Sequence, residues 1–220
     1  MPRLFQLLCL LIFCSVAAYP QTEAQPPAVV TFTIDFPESQ PEHYSIRVQS
    51  DGPARYGSSG RLSADSDDTD SFDLDFTVGA ETRQKIFDLA AKAGYFQKDV
   101  DSRHKGLAFT GKKTLGYKDA RRSGESTYNY SSNPAVQELT SLMQSLSSTL
   151  EFGHRLQYDR QYQKLALDEE LKRMEEIARA NELVEVTAIQ PILDQIIADQ
   201  SVINITRARA QRLLERASVH

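Results

Sequence analysis

The chain has 220 residues, 40% of them hydrophobic, with 25 Lys plus Arg against 30 Asp plus Glu and a formal net charge of −5. That is enough apolar material for an ordinary hydrophobic core, and the acidic balance argues against nucleic acid as a partner. Only two cysteines occur, Cys9 and Cys14, both inside the first apolar run, so disulfide and thiol chemistry are not expected in the remainder.

Arg3 precedes the apolar run Leu4 to Val16, and small residues follow at Ala17, Ala18 and Ala24, the layout of a secretory leader. The run is interrupted by Gln6 and falls short of the roughly 20 apolar residues a membrane-spanning helix needs. Cleavage is therefore expected after Ala18 or after Ala24, with no transmembrane span left afterwards. Leu8 before Cys9 and Phe13 before Cys14 do not fit a lipid-anchor site. A cysteine-free chain of this size suits a bacterial periplasm or exterior. In a eukaryote, Asn129-Tyr-Ser131 and Asn204-Ile-Thr206 would be glycosylation acceptors.

Residues 25–27 continue a proline-rich, polar leader. Val29 to Phe36 alternates β-branched and aromatic residues with others and predicts a strand ended by Pro37 and Pro41. His43 to Gln49 predicts a second, with Tyr44, Ile46 and Val48 on one face. Asp51-Gly52 is a turn signal and Ala54 to Gly57 the return limb. Ser71 to Val78, alternating Phe72, Leu74, Phe76 and Val78 with polar residues, predicts a strand with one wet face. A helix follows over Ala80 to Ala93, with Gly94 placed to end it. Leu107 to Tyr117 and Glu125 to Tyr130 predict two more strands. From Asn133-Pro134 the stripe Val136, Leu139, Leu142, Met143, Leu146, Leu150 marks a long helix. Further helices are expected over Leu165 to Ala180, Ile189 to Asp199 and about Ile205 to Ala217.

Four motifs approach known chemistries. Gly106-Leu-Ala-Phe-Thr-Gly111-Lys112-Lys113 nearly spells a phosphate-binding loop, but Lys113 stands where the magnesium-binding hydroxyl belongs. Ser102-Arg-His-Lys105 and Ser131-Ser-Asn133 match two short motifs of serine β-lactamases and penicillin-binding proteins. The third, Lys-Thr-Gly, is missing. The aspartate run Asp65, Asp67, Asp68, Asp70, Asp73, Asp75 could converge on calcium, yet the EF-hand places for glycine and glutamate hold Asp70 and Phe76. A solvated hairpin tip explains it more simply. Tyr117, Tyr128 and Tyr130 could line a groove, although aromatics at strand spacing more often pack in a core.

A basic stretch runs through Lys98, Arg103, Lys105, Lys112, Lys113, Lys118, Arg121 and Arg122, and the last helix adds Arg207, Arg209, Arg212 and Arg216. Gathered on one face, these could meet an anionic envelope component or a protein. His43, His104, His154 and His220 show no metal-ligand spacing. No catalytic, cofactor or metal residue is therefore assigned, and no cofactor is expected.

The fold class expected is α+β: a mainly antiparallel sheet of five or six strands with an inserted helix, covered on one face by helices including the tail, the C-terminal helical segment. The expected organisation is a leader over 1–24, a flexible stretch over 25–27, an α+β domain over 28–155 and a helical tail over 156–220. For function, the expectation is a periplasmic or secreted non-catalytic binding protein. The alternative is a cell-envelope hydrolase using residues such as Asp101, Ser102 and His104, gathered by the fold.

Overall fold

Alternation along the first strand sets the architecture. In β1 (Val29–Asp35) the side chains of Val30, Phe32 and Ile34 are buried on one face, while Thr31, Thr33 and Asp35 take the other. The computed structural model describes residues 25–37, 39–61, 68–180 and 182–217. The expected leader, with Cys9 and Cys14, and Asp65 and Asp67 of the aspartate run lie outside these residues.

Strands β2 (His43–Gln49), β3 (Pro53–Arg61) and β4 (Thr69–Thr77) extend a meander from β1, and β5 (Lys112–Lys118) pairs with β1 on its other side. β6 (Ser123–Tyr128) completes a six-stranded, wholly antiparallel sheet in the order β4-β3-β2-β1-β5-β6. The register lines up Tyr128, Lys113, Ile34, Tyr44, Ser58 and Phe72 across it. Each falls on the face that the helices cover. The opposite face carries Thr33, Ser45, Arg47, Arg55, Asp73, Thr114 and Thr127 and is left uncovered by the described residues.

Helix α1 (Ala80–Lys92) links the outer strand β4 to β5, and α2 (Pro134–Tyr162) follows β6. The start of α2 is built as its sequence requires: Asn133 Oδ1 accepts from Ala135 N at 2.9 Å and Pro134 opens the first turn. Val136, Leu139, Met143, Leu146 and Leu150 are fully buried along one side of it. Helices α3 (Ala166–Arg179), α4 (Gln190–Ala198) and α5 (Asn204–Ala217) pack principally on α2 and on one another, a third layer outside the sheet-facing helices. They belong to the same hydrophobic core as the strands. Helix α2 runs unbroken through positions 155 and 156.

The fold is thus α+β, with an antiparallel sheet, an inserted helix and helices at the C-terminal end. Two expectations need correction. Leu107 to Gly111 is irregular rather than strand, because Gly106 (φ 89°) and Gly111 (φ 95°) turn the chain where β-backbone cannot follow. The tail helices cover α2 rather than forming the layer directly on the sheet. Among the described residues no helix is long and apolar enough to cross a membrane.

Candidate functional site

The last three turns of α2 carry Glu151, His154, Arg155, Tyr158 and Asp159, at spacings that place all five on one side of the helix. That side meets the ends of β3 and β4 and the Gln40-Pro41 turn, enclosing an open cleft of about 280 Å³. The strands contribute Ser58, Ser59 and Arg61 from β3 and Asp70, Ser71 and Phe72 from β4.

Beneath the cleft lies a buried polar network. Tyr56 Oη donates to Glu151 Oε1 at 2.7 Å, and Ser58 Oγ donates to the same oxygen at 2.7 Å. Tyr56 Oη also lies 3.0 Å from Ser147 Oγ. Burial alone would raise the Glu151 carboxyl, but the neighbouring His154 imidazole and the hydroxyls of Ser58 and Tyr56 outweigh it and hold it below its ordinary value. Burial, and then the Glu151 charge, push the Tyr56 phenol well above its own. Both hydroxyls donate to a carboxylate whose lowered pKa makes it a weak base, and the Tyr56 phenol is itself raised, so neither is primed to lose its proton.

His154 stands at the cleft wall, stacked face to face on Phe72 with ring centroids 4.4 Å apart and planes 6° from parallel. Its Nε2 lies 3.4 Å from Asp70 Oδ2 and its Nδ1 3.7 Å from Glu151 Oε2. Arg61 and Arg155, at the rim, are engaged by Glu42 (2.6 Å) and by Glu170. Asp159 is raised by burial and by the nearby Glu170 charge, against the opposing pull of Arg155.

The residues singled out in the sequence are dispersed. Asp101 Oδ1 accepts from Arg103 N, His104 is exposed, and the buried Ser102 Oγ has no hydrogen-bond partner among the described residues. These three are not joined by any hydrogen bond. Ser131 Oγ accepts from Asn133 N, so that motif builds the start of α2. Lys113 is buried and its Nζ donates to the carbonyls of Thr110, Gly111 and Asn129 and to the Thr110 hydroxyl, while burial lowers its pKa. Asp73 and Asp75 both face Arg55 on the open side of the sheet. Among the described residues no three His, Cys, Asp or Glu side chains are grouped closely enough to hold a metal ion.

The tyrosines of the imagined groove divide. Tyr117 bonds Asp119 and Tyr128 bonds Thr140, both buried, and only Tyr130 is exposed. Much of the basic stretch is committed internally. Arg103 pairs with Asp99 and Arg122 with Asp119, the latter lying 3.9 Å over the Tyr95 ring. In the last helix, Arg209 and Arg212 converge on the buried Glu175.

A larger groove of about 560 Å³ separates the start of α1 from the end of α5, with Leu183, Val184 and Val186 on its wall. There the Glu185 carboxylate accepts from Gly79 N at 3.0 Å, so the acceptor that the helix start calls for is already in place.

Sequence reading missed Glu151, His154, Tyr56, Ser58 and Phe72. The signal for the first two was present: beyond Leu150 the apolar stripe of α2 gives way to a polar and aromatic one at the same helical spacing. No protein-family model matches the chain, and no curated protein matches it closely enough to indicate kinship.

Proposed function

We propose that this is an exported protein that acts by binding rather than by catalysis, and that the cleft between α2 and the β3–β4 hairpin is where it binds. Export rests on the leader-like first two dozen residues. The observation that carries the binding reading is the buried support under the cleft. Tyr56 and Ser58 fix Glu151, which gives a firmly held wall whose carboxylate, lowered below its ordinary value, is a weak base toward both hydroxyls. The polar, uncovered face of the sheet is a further surface for a protein or envelope component.

Two measurements test this. Expression of the full chain in a bacterium, followed by fractionation and intact mass, should give a periplasmic or secreted product beginning after Ala18 or Ala24. An uncleaved cytoplasmic product overturns export. Titration of the purified product with a panel of small amines, sugars and carboxylates, followed by amide NMR, should perturb cleft residues while the ligand stays chemically unchanged. Turnover of any ligand overturns the non-catalytic reading. Perturbation confined to other parts of the molecule, or none, overturns the cleft as the binding place.

A further inference from the structure

We propose that the cleft takes an organic cation, an ammonium or guanidinium group on a short aliphatic stem; this rests on the binding reading above and names its ligand class.

Charge is the first ground. Asp70, Glu151 and Asp159 all line the cleft. Both rim arginines are matched by carboxylates that are not part of its lining, Arg61 by Glu42 and Arg155 by Glu170. His154, between Asp70 and Glu151, is the sole further base on the wall. Among the described residues the cleft lining and its arginine partners therefore carry more negative than positive charge.

An unfilled acceptor is the second ground. Glu151 is nine-tenths buried, and its Oε1 is occupied by Tyr56 and Ser58. Its Oε2 faces His154 Nδ1 at 3.7 Å. Asp159, half-buried on the same wall, makes no side-chain hydrogen bond or ion pair among the described residues. Its carboxyl is raised first by burial and then by the Glu170 charge, against the pull of Arg155. The Asp159 carboxylate is therefore open to an N–H donor with positive charge behind it.

Aromatic faces are the third. Phe72, stacked on the parallel His154 ring, and Tyr158 flank the carboxylates. Aromatic faces attract ammonium and guanidinium groups within about 6 Å. The volume of about 280 Å³ lies at the small end for ligand clefts, which run to about 300–1,000 Å³. It suits one side-chain-sized occupant. That chemistry comes either from a free amine or from a lysine or arginine side chain of a partner protein.

The test uses the purified full-length product, four probes and amide NMR. Nα-acetyl-lysine amide and Nα-acetyl-arginine amide stand for a partner's side chain, spermidine for a free polyamine, and Nα-acetyl-norleucine amide for an uncharged stem. The charged probes should shift resonances of β3, β4 and the end of α2, at least tenfold more tightly than norleucine amide, and more weakly as salt is added. Tighter binding of the amino-acid amides points to a partner protein; tighter binding of spermidine points to a free polyamine. Asp159→Asn should weaken the charged probes about five- to tenfold without lowering the melting temperature, because the fold disfavours the charged carboxylate there.

Equal binding of the norleucine probe, an unaltered affinity in Asp159→Asn, or calcium competing for the same resonances at lower concentration overturns the cation assignment. If a sugar or carboxylate from the panel fills the cleft instead, the binding reading stands and this one falls. If no compound perturbs the cleft, both fall.

Discussion

Replacing Tyr56 by Phe removes one oxygen from the middle of the molecule and leaves the ring in place. The lost contact is a 2.7 Å hydrogen bond from a fully buried phenol to Glu151 Oε1. Hydrogen bonds to charged groups contribute about 1.5–3 kcal/mol, so Tyr56→Phe should destabilise by about 2 kcal/mol at neutral pH. With a urea slope of roughly 2 kcal/mol per molar, the midpoint should fall by about 1 M. The pH dependence makes the prediction specific. Glu151 is held below its ordinary value of 4.5 in the folded state, so its ionisation contributes stability that is present above that value and is lost as pH falls through the folded pKa. The variant lacks one donor that lowers it, and its own contribution is smaller. The gap between wild type and variant should therefore narrow as pH drops from 7 to below the ordinary glutamate range. Urea unfolding of both proteins at several pH values measures this. A gap under about 0.5 kcal/mol at pH 7, or one that is constant with pH, would falsify the charged network.

Other consequences follow from single contacts. Lys113→Met removes the donor to three carbonyls and one hydroxyl and should cost about 1–3 kcal/mol, with faster amide exchange at Thr110. Because burial lowers the Lys113 pKa, the unfolded chain holds its proton more tightly. Wild-type stability should then rise relative to Lys113→Met as pH climbs from the folded pKa toward the ordinary 10.5, and a falling difference would contradict this. Gly153→Ala gains about 1 kcal/mol of helix propensity but puts a methyl 2.5 Å from Ile189 Cγ2. Overpacking should prevail and lower the melting temperature by a few degrees, whereas a higher one would show that the turn at 186–189 yields freely. Glu175→Ala removes the buried carboxylate that Arg209 and Arg212 share, but Arg209 keeps Asp168 Oδ1 at 3.0 Å and Arg212 reaches solvent, so the cost should be about 1–3 kcal/mol. Limited proteolysis should then cut first within α5.

The strands were legible because each needs only a period of two. Phe32, Ile46 and Leu115 announce their burial by alternation, and the register puts them side by side. Helix positions were legible to within a residue or two for the same reason. The end of β5 was not, because Leu107, Ala108 and Phe109 look like strand residues and only the positive φ at the flanking glycines shows otherwise. The cleft was out of reach for a different cause. Tyr56 and Glu151 are 95 positions apart, and a pairing of that separation leaves no mark on local pattern. Glu151 and His154 resembled the charged face of any exposed helix until the hairpin end was laid over them.

The place of β1 bears on how the chain can be made. It is synthesised before the other five strands, yet it ends in the middle of the sheet, flanked by β2 and by β5, whose residues Lys112–Lys118 come more than 75 positions later. Until they arrive, β1 has one satisfied edge and one open edge beside the apolar row Val30, Phe32 and Ile34. Such an edge invites pairing with a neighbouring chain. A truncated product ending after α1 should therefore aggregate rather than persist as a four-stranded half, and any factor that holds the chain extended until residue 118 has emerged should raise the yield of native protein.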